Sequence, residues 1–141
     1  MLVSTKGRYA LRVIIDLAEH EGEGYLPLRD IAHRLDISEK YLESVLKTLV
    51  RDHLIEGMRG KGGGYRLTHR AADYTAGEVL RSTEGSLAPV AGLDDVGAFR
   101  AEEPRCHDMW EKLDALIEEY LDDVKITDLC VSTLAGNDYV I

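Results

Sequence analysis

Residues 28–67, LRDIAHRLDISEKYLESVLKTLVRDHLIEGMRGKGGGYRL, constrain the fold more than any other stretch. Two helical patterns separated by a short turn run straight into a glycine-tipped hairpin. In the first pattern Ile31, Ala32 and Leu35 share one face, and Arg29, Asp30, His33 and Arg34 share the other. Asp36 and Ile37 make the turn. Ser38 then fits an N-cap, and Glu39 places a carboxylate in the first turn, where the helix dipole favours it. The second pattern buries Tyr41, Leu42, Val45, Leu46, Leu49 and Val50 and turns Lys40, Glu43, Ser44, Lys47, Thr48 and Arg51 outward. Residues 55–58 and 65–67 can pair around Arg59-Gly60-Lys61-Gly62-Gly63-Gly64, a tip with two cations and little side-chain bulk.

A short helix, a turn and a second helix with a polar outer face have the spacing of a helix-turn-helix, whose second helix enters the DNA major groove. A plain helical packing unit has the same spacing. The basic hairpin separates the two readings, because a helix-turn-helix followed by such a hairpin is a winged helix, with the wing placing a cation in the minor groove or on phosphate. The glycines do not make a nucleotide loop. Neither Gly57 nor Gly60 has Walker spacing or a Ser/Thr after Lys61, and Tyr65 stands where a dinucleotide fingerprint begun at Gly60 needs glycine.

Net charge at first argues against nucleic acid, since the 141-residue chain carries −9. Its distribution reverses the argument. Residues 1–70 hold 12 Lys/Arg against 10 Asp/Glu, whereas residues 71–141 hold 5 against 16. A locally basic half attached to an acidic half suits electrostatic orientation on DNA, although an acidic surface also serves solubility alone. Length fits one domain plus an arm, Cys106 and Cys130 are too few for a disulfide framework, and no run is apolar enough to span a membrane. The first residues lack an apolar secretory segment, so a cytoplasmic protein is expected.

Outside the central stretch, residues 4–20 read as a first helix with Tyr9, Ala10, Val13, Ile14, Leu17 and Ala18 inside, ended by Gly22 and Gly24. Thr75 to Glu78 fits a capping box that opens a short helix ending near Gly85. Residues 88–103 read as an acidic loop, so the expected organisation is a DNA-binding domain 1–87, the loop 88–103, and a helical arm with a tail, 104–141. In the arm, Trp110, Leu113, Ile117, Tyr120 and Val124 step by three and four, a seam that packs either on the domain's own core or on a second copy. No enzyme constellation appears. The five histidines are scattered, and the carboxylate pairs Glu102-Glu103, Glu118-Glu119 and Asp122-Asp123 lie on an acidic surface.

STKGRYALRVIIDLA, ISEKYLESVL, RGKGGGYRL and TAGEVLRSTEG, in that order and at that spacing, resemble the Rrf2 family of bacterial winged-helix transcription regulators, nearly end to end. Within the family the chain is most similar to the branch of cysteine-metabolism repressors. The resemblance implies a mainly α fold with a β-hairpin wing and a long C-terminal dimerisation helix carrying the Trp110 to Val124 seam. It implies a homodimer on double-stranded DNA at an inverted repeat, with the Thr5, Lys6 and Arg8 turn near the backbone. Ser38, Lys40, Tyr41, Glu43, Ser44, Lys47, Arg51, Arg59 and Lys61 complete the candidate DNA contacts. Many relatives hold a [2Fe-2S] cluster on cysteines in the loop before the long helix. This chain offers only Cys106 and His107 there, which read as ordinary helix-start residues, so no metal or other cofactor is expected; the competing readings are a protein-interaction module that acts mainly by binding an enzyme and a thiol or iron-sulfur redox sensor. The branch also implies a partner, O-acetylserine sulfhydrylase, which accepts tails ending in isoleucine. Tyr139, Val140 and Ile141 have that form, with a strap packed on the dimer as the alternative.

Overall fold

The computed structural model describes residues 3–131. Helix α1 (Thr5–Glu19) is capped by Ser4, whose hydroxyl accepts from the Gly7 amide at 3.0 Å, and it buries Ala10, Val13, Ile14 and Leu17. Helix α2 (Leu28–Leu35) ends at Asp36, which takes the left-handed conformation (φ 55°) that a short turn needs. Helix α3 (Glu39–Arg51) begins after Ser38, whose hydroxyl accepts from the Tyr41 amide at 3.1 Å. Strands β1 (Ile55–Met58) and β2 (Gly64–Leu67) pair antiparallel, Ile55 opposite Leu67 and Met58 opposite Gly64. Helix α4 (Ala76–Glu84) starts from Thr75, which accepts from the Glu78 amide at 3.2 Å, and stops at Gly85. Helices α5 (Val96–Glu102) and α6 (His107–Asp123) and a 3-10 turn, Ile126–Leu129, complete the described chain. The fold is mainly helical with a two-stranded wing, a winged helix.

Some local readings are corrected. Leu26 exchanges both backbone hydrogen bonds with Tyr65, each 2.8 Å, which adds a one-residue third rung to the wing. A Cβ at Gly64 (φ 146°) would fall inside the Leu26 carbonyl, so the close approach requires glycine. Residues 88–103 are not merely a loop: Asp95 caps the Ala98 amide at 3.3 Å, and α5 buries Phe99 beside the His107 ring, centroids 6.0 Å apart. Two turns with one buried side chain are too short to show a period. On α3, Thr48 is buried and Val50 is 37% exposed, the reverse of the sequence reading. Helix α4 packs on α3, with Ser82 bonded to Asp52 one turn beyond Thr48, whereas Val50 lines an open groove with Met58 and Arg59.

The core gathers Ile14, Ile31, Leu42, Leu46 and Leu49, with Ile126 and Cys130 added from beyond α6. Polar ties fix the elements on it. Asp16, almost fully buried on α1, takes both the Nε and Nη2 donors of Arg34 at 2.8 Å, pulling a side chain expected on the outer face of α2 back across the helix pair. The Tyr74 hydroxyl donates to the Leu54 carbonyl at 2.6 Å and accepts from the amides of Thr68 and His69 at 3.0 and 3.1 Å, joining both roots of the wing. Removing it leaves a carbonyl and two amides without this partner in the interior. Tyr74→Phe should therefore lower stability by about 1–3 kcal/mol, read as a shift in the urea midpoint at unchanged m-value.

Candidate nucleic-acid interface

The cations of the N-terminal half sort by what they touch. Arg34, Arg51, Arg66 and Arg70 pair with Asp16, Asp52, Glu56 and Asp73. Arg12 lies over the Tyr9 ring at 4.9 Å and donates to the Leu35 carbonyl. The other seven of the twelve, Lys6, Arg8, Arg29, Lys40, Lys47, Arg59 and Lys61, have no carboxylate partner among the described residues. They lie on the first turns of α1 and α2, along α3, and at the wing tip. Unpaired cations of one sign spread over these elements suit a polyanion.

On α3 the side chains of Lys40, Glu43, Ser44 and Lys47 are exposed, as a groove-reading helix requires. Ser38 is exposed beside them, and Ser44 donates to the Tyr41 carbonyl at 2.9 Å, leaving its oxygen free to accept. Tyr41 is half-buried, its ring edge-on to Tyr9 at 5.5 Å, so it locks α3 to α1 and offers only a rim outward. Between α3 and the wing, Lys47, Val50, Gly57, Met58, Arg59 and Tyr65 line an open groove of about 330 Å³. Arg29 and this groove were missed in sequence; the signal for Arg29 was a cation in the first turn of the first of the two helices. Arg51 is placed differently from expectation. Both its Nε and Nη2 donate to Asp52 at 3.1 Å, and Nη2 also reaches the Ser82 carbonyl at 3.2 Å. The Arg51 and Ser82 bonds hold the Asp52 carboxyl below the usual range.

The first turn of α1 exposes Thr5 and Arg8 and half-exposes Lys6. Its capping position is already occupied from within: the Ser4 amide and hydroxyl each donate to a Glu84 oxygen at 2.7 Å. Burial pushes the Glu84 carboxyl up, but the hydrogen bonds from Ser4 and Thr83 outweigh burial and leave it below the ordinary range.

Helix α6 has two sides. Arg81 of α4 grips one, donating to Asp122 at 2.9 and 2.8 Å and to Glu118 at 3.4 Å. The other exposes Met109, Leu113, Leu116 and Tyr120, at steps of four, three and four. The seam read in sequence is thus divided: Leu113 and Tyr120 belong to the exposed stripe, and Trp110, Ile117 and Val124 are half-buried on its flank. At about 100° per residue the four exposed side chains fall within roughly 60° of one another, the pattern of a helix paired with another.

A cleft of about 650 Å³ collects His20, Glu21, Glu56, Arg66, His69, Arg70 and Asp73. Most of these groups are committed to one another or to backbone: Glu21 accepts from the Ala71 amide at 2.7 Å, Arg66 donates to Glu56 at 2.6 Å, and Arg70 pairs with Asp73. An iron-sulfur cluster, which the family implies, does not fit the donors present. A centre needs four protein ligands, whereas the sequence holds two cysteines, and Cys130 is buried with its thiol on the Ile126 carbonyl. His107 is buried against Phe99, with Nδ1 3.2 Å from Asp108 and Nε2 3.4 Å from Glu111 without hydrogen-bond geometry. Among the described residues no His, Cys, Asp and Glu group is arranged to hold a metal. Tyr139, Val140 and Ile141 lie outside the described residues.

The Rrf2 family profile, described as an iron-dependent transcriptional regulator, matches residues 3–132. The chain is 38% identical to the HTH-type transcriptional regulator CymR of Bacillus subtilis over 94% of its own length and 92% of that protein's. It is 33% identical to IscR of Aliivibrio salmonicida, over 93% and 78%. Among solved structures, that of CymR, the global cysteine regulator of B. subtilis, superposes with a TM-score of 0.79 at 36% identity, covering 95% of this chain and 99% of that one. The T. potens IscR structure gives 0.73 at 33%, covering 100% and 94%. These relatives are regulators, not enzymes.

The ion-pair pattern separates two cations on neighbouring turns of α3. Lys47→Ala should lower the slope of log affinity against log salt by about 0.9, one phosphate contact. Arg51→Ala should leave the slope nearly unchanged because that guanidinium is held by Asp52 and Ser82. Salt titrations of both variants on one DNA fragment check this.

Proposed function

The chain belongs to the Rrf2 family of transcription regulators, and on that premise we propose that it represses genes of sulfur or cysteine metabolism by binding an inverted-repeat operator as a homodimer. The observation that carries this reading is the sorting of cations within residues 1–70, because those without a carboxylate partner among the described residues lie on α1, α2, α3 and the wing. In this reading Lys40, Lys47, Lys61 and the α1 turn take phosphates, and Arg59 enters the minor groove. Glu43 accepts from a cytosine amino group. The sulfur assignment follows the likeness to CymR, and the mismatch of donors to a cluster favours that branch over the IscR relatives. Its workplace is the cytoplasm, with the genome.

The exposed stripe on α6 supports the dimer. A two-fold pair places two α3 helices about 34 Å apart, one turn of DNA. Selection from random fragments should return inverted repeats with that half-site spacing. Leu116→Glu, which sets a charge in the stripe, should shift sedimentation to the monomer and weaken operator binding at least tenfold; a dimer unmoved by this change would place the interface elsewhere.

The reading includes O-acetylserine sulfhydrylase as a partner held through Tyr139, Val140 and Ile141, supported by the resemblance to the cysteine branch. An isoleucine seated in an apolar pocket contributes on the order of 1.5–3 kcal/mol. Ile141→Ala should then weaken the enzyme complex roughly tenfold in calorimetry while direct DNA affinity stays level. Equal enzyme affinity for both proteins would remove the tail from the reading.

A further inference from the structure

The last turn of α4, Arg81-Ser82-Thr83-Glu84, distributes its polar groups to three different helices. Arg81 grips Asp122 and Glu118 of α6. Ser82 donates to Asp52, at the end of α3, at 2.6 Å, and its carbonyl receives Arg51. Glu84 takes both donors of Ser4 at the head of α1. Two glycines let α4 come this close. A Cβ at Gly7 would stand 3.0 Å from the Glu84 carboxylate, and one at Gly77 would fall inside the carboxylate of Asp122.

From these contacts we propose that the turn is a coupling block: it fixes the DNA-facing turn of α1 relative to α3 and to the dimerisation helix, with Glu84 as the positioning residue. Glu84 does not touch DNA in this account. Its two acceptor oxygens set the direction in which Thr5, Lys6 and Arg8 leave the helix, and a helix end held by two bonds to one carboxylate has little freedom to swing. Because Arg81 belongs to the same turn, the pose of that basic surface is tied to α6. The inference rests on the DNA-binding reading above.

Glu84→Gln keeps the size of the side chain but brings an amide donor against the donors of Ser4. The slope of log affinity against log salt should become shallower by about 0.9 for each phosphate no longer met, thus by one to two if Lys6 and Arg8 both drift, with sedimentation still reporting the dimer. The double variant Lys6→Ala/Arg8→Ala should show the same loss. Combining it with Glu84→Gln should add nothing further, since the carboxylate acts only through those cations. Asp122→Asn, an exposed change far from α1, should shift the slope in the same direction and serves if Glu84→Gln fails to fold. An unchanged slope in either single variant, or losses that add in the combined one, would overturn the proposal. A wild-type protein whose binding is insensitive to salt would instead sink the DNA reading itself.

Discussion

A buried phenol sets the angle between the recognition helix and the wing. The Tyr74 hydroxyl sits where the chain leaves α3, at Leu54, and where it returns from β2, at Thr68 and His69. Hydroxyls are costly to bury unpaired, and this one is paired on both its donor and acceptor sides. The consequence is mechanical. Each wing strand is four residues, about 13 Å at the rise of an extended chain, so an angular error at the root is multiplied at Arg59 and Lys61. The Leu26 rung, with Gly64 pressed on its carbonyl, anchors the far edge of the same hairpin.

With that frame held, the acidic total charge ceases to be a paradox. Exposed charges act over roughly a Debye length, about 8 Å at physiological salt, so the local balance near α3 and the wing governs the approach of DNA. Internal pairing shapes that balance: Asp16, Asp52 and Glu56 are neutralised by cations of the same half, and Arg70 is taken by Asp73 just beyond it. What remains unpaired on α2, α3, the first turn of α1 and the wing tip is seven cations against the exposed Asp30, Glu39 and Glu43, a basic balance. Glu43 stands exposed among those cations.

Local chemistry was legible from sequence wherever it acts over three or four residues. The caps at Ser38 and Thr75, the turn at Asp36, the glycine stop at Gly85 and the first strand of the wing all follow from neighbours, while the second strand begins one residue earlier than read, at Gly64. What escaped depends on partners far along the chain. Arg34 reads as a solvated cation until Asp16, 18 residues away, is folded against it. Thr48 and Val50 flank the α3 stripe almost symmetrically, and no local pattern separates them; with α4 docked on α3, Thr48 is buried and Val50 is left on an open groove. The same docking took Arg51 out of the free cations. Leu26 and α5 were missed for a different reason: one residue and two turns hold no period to detect.

In the proposed homodimer, the two sides of α6 would let so acidic an arm meet a copy of itself. Carboxylates crowd its clamped side: burial pushes the Asp114 carboxyl up, and Glu118, Asp94 and Glu111 push it further. Glu118 and Asp122 are met there by the Arg81 guanidinium, whose hold on Asp122 keeps that carboxyl below its usual range. Bringing a second copy against this side would desolvate Asp114 and Asp94, which have no Lys or Arg partner among the described residues, at a cost of several kcal/mol per ion. Met109, Leu113, Leu116 and Tyr120 carry no such penalty, and at heptad spacing they can interdigitate with the same stripe of a symmetry mate. The acid therefore acts as a direction: it leaves one face of the arm open to self-association and turns that face away from α4, whose last turn is already engaged with α1 and α3.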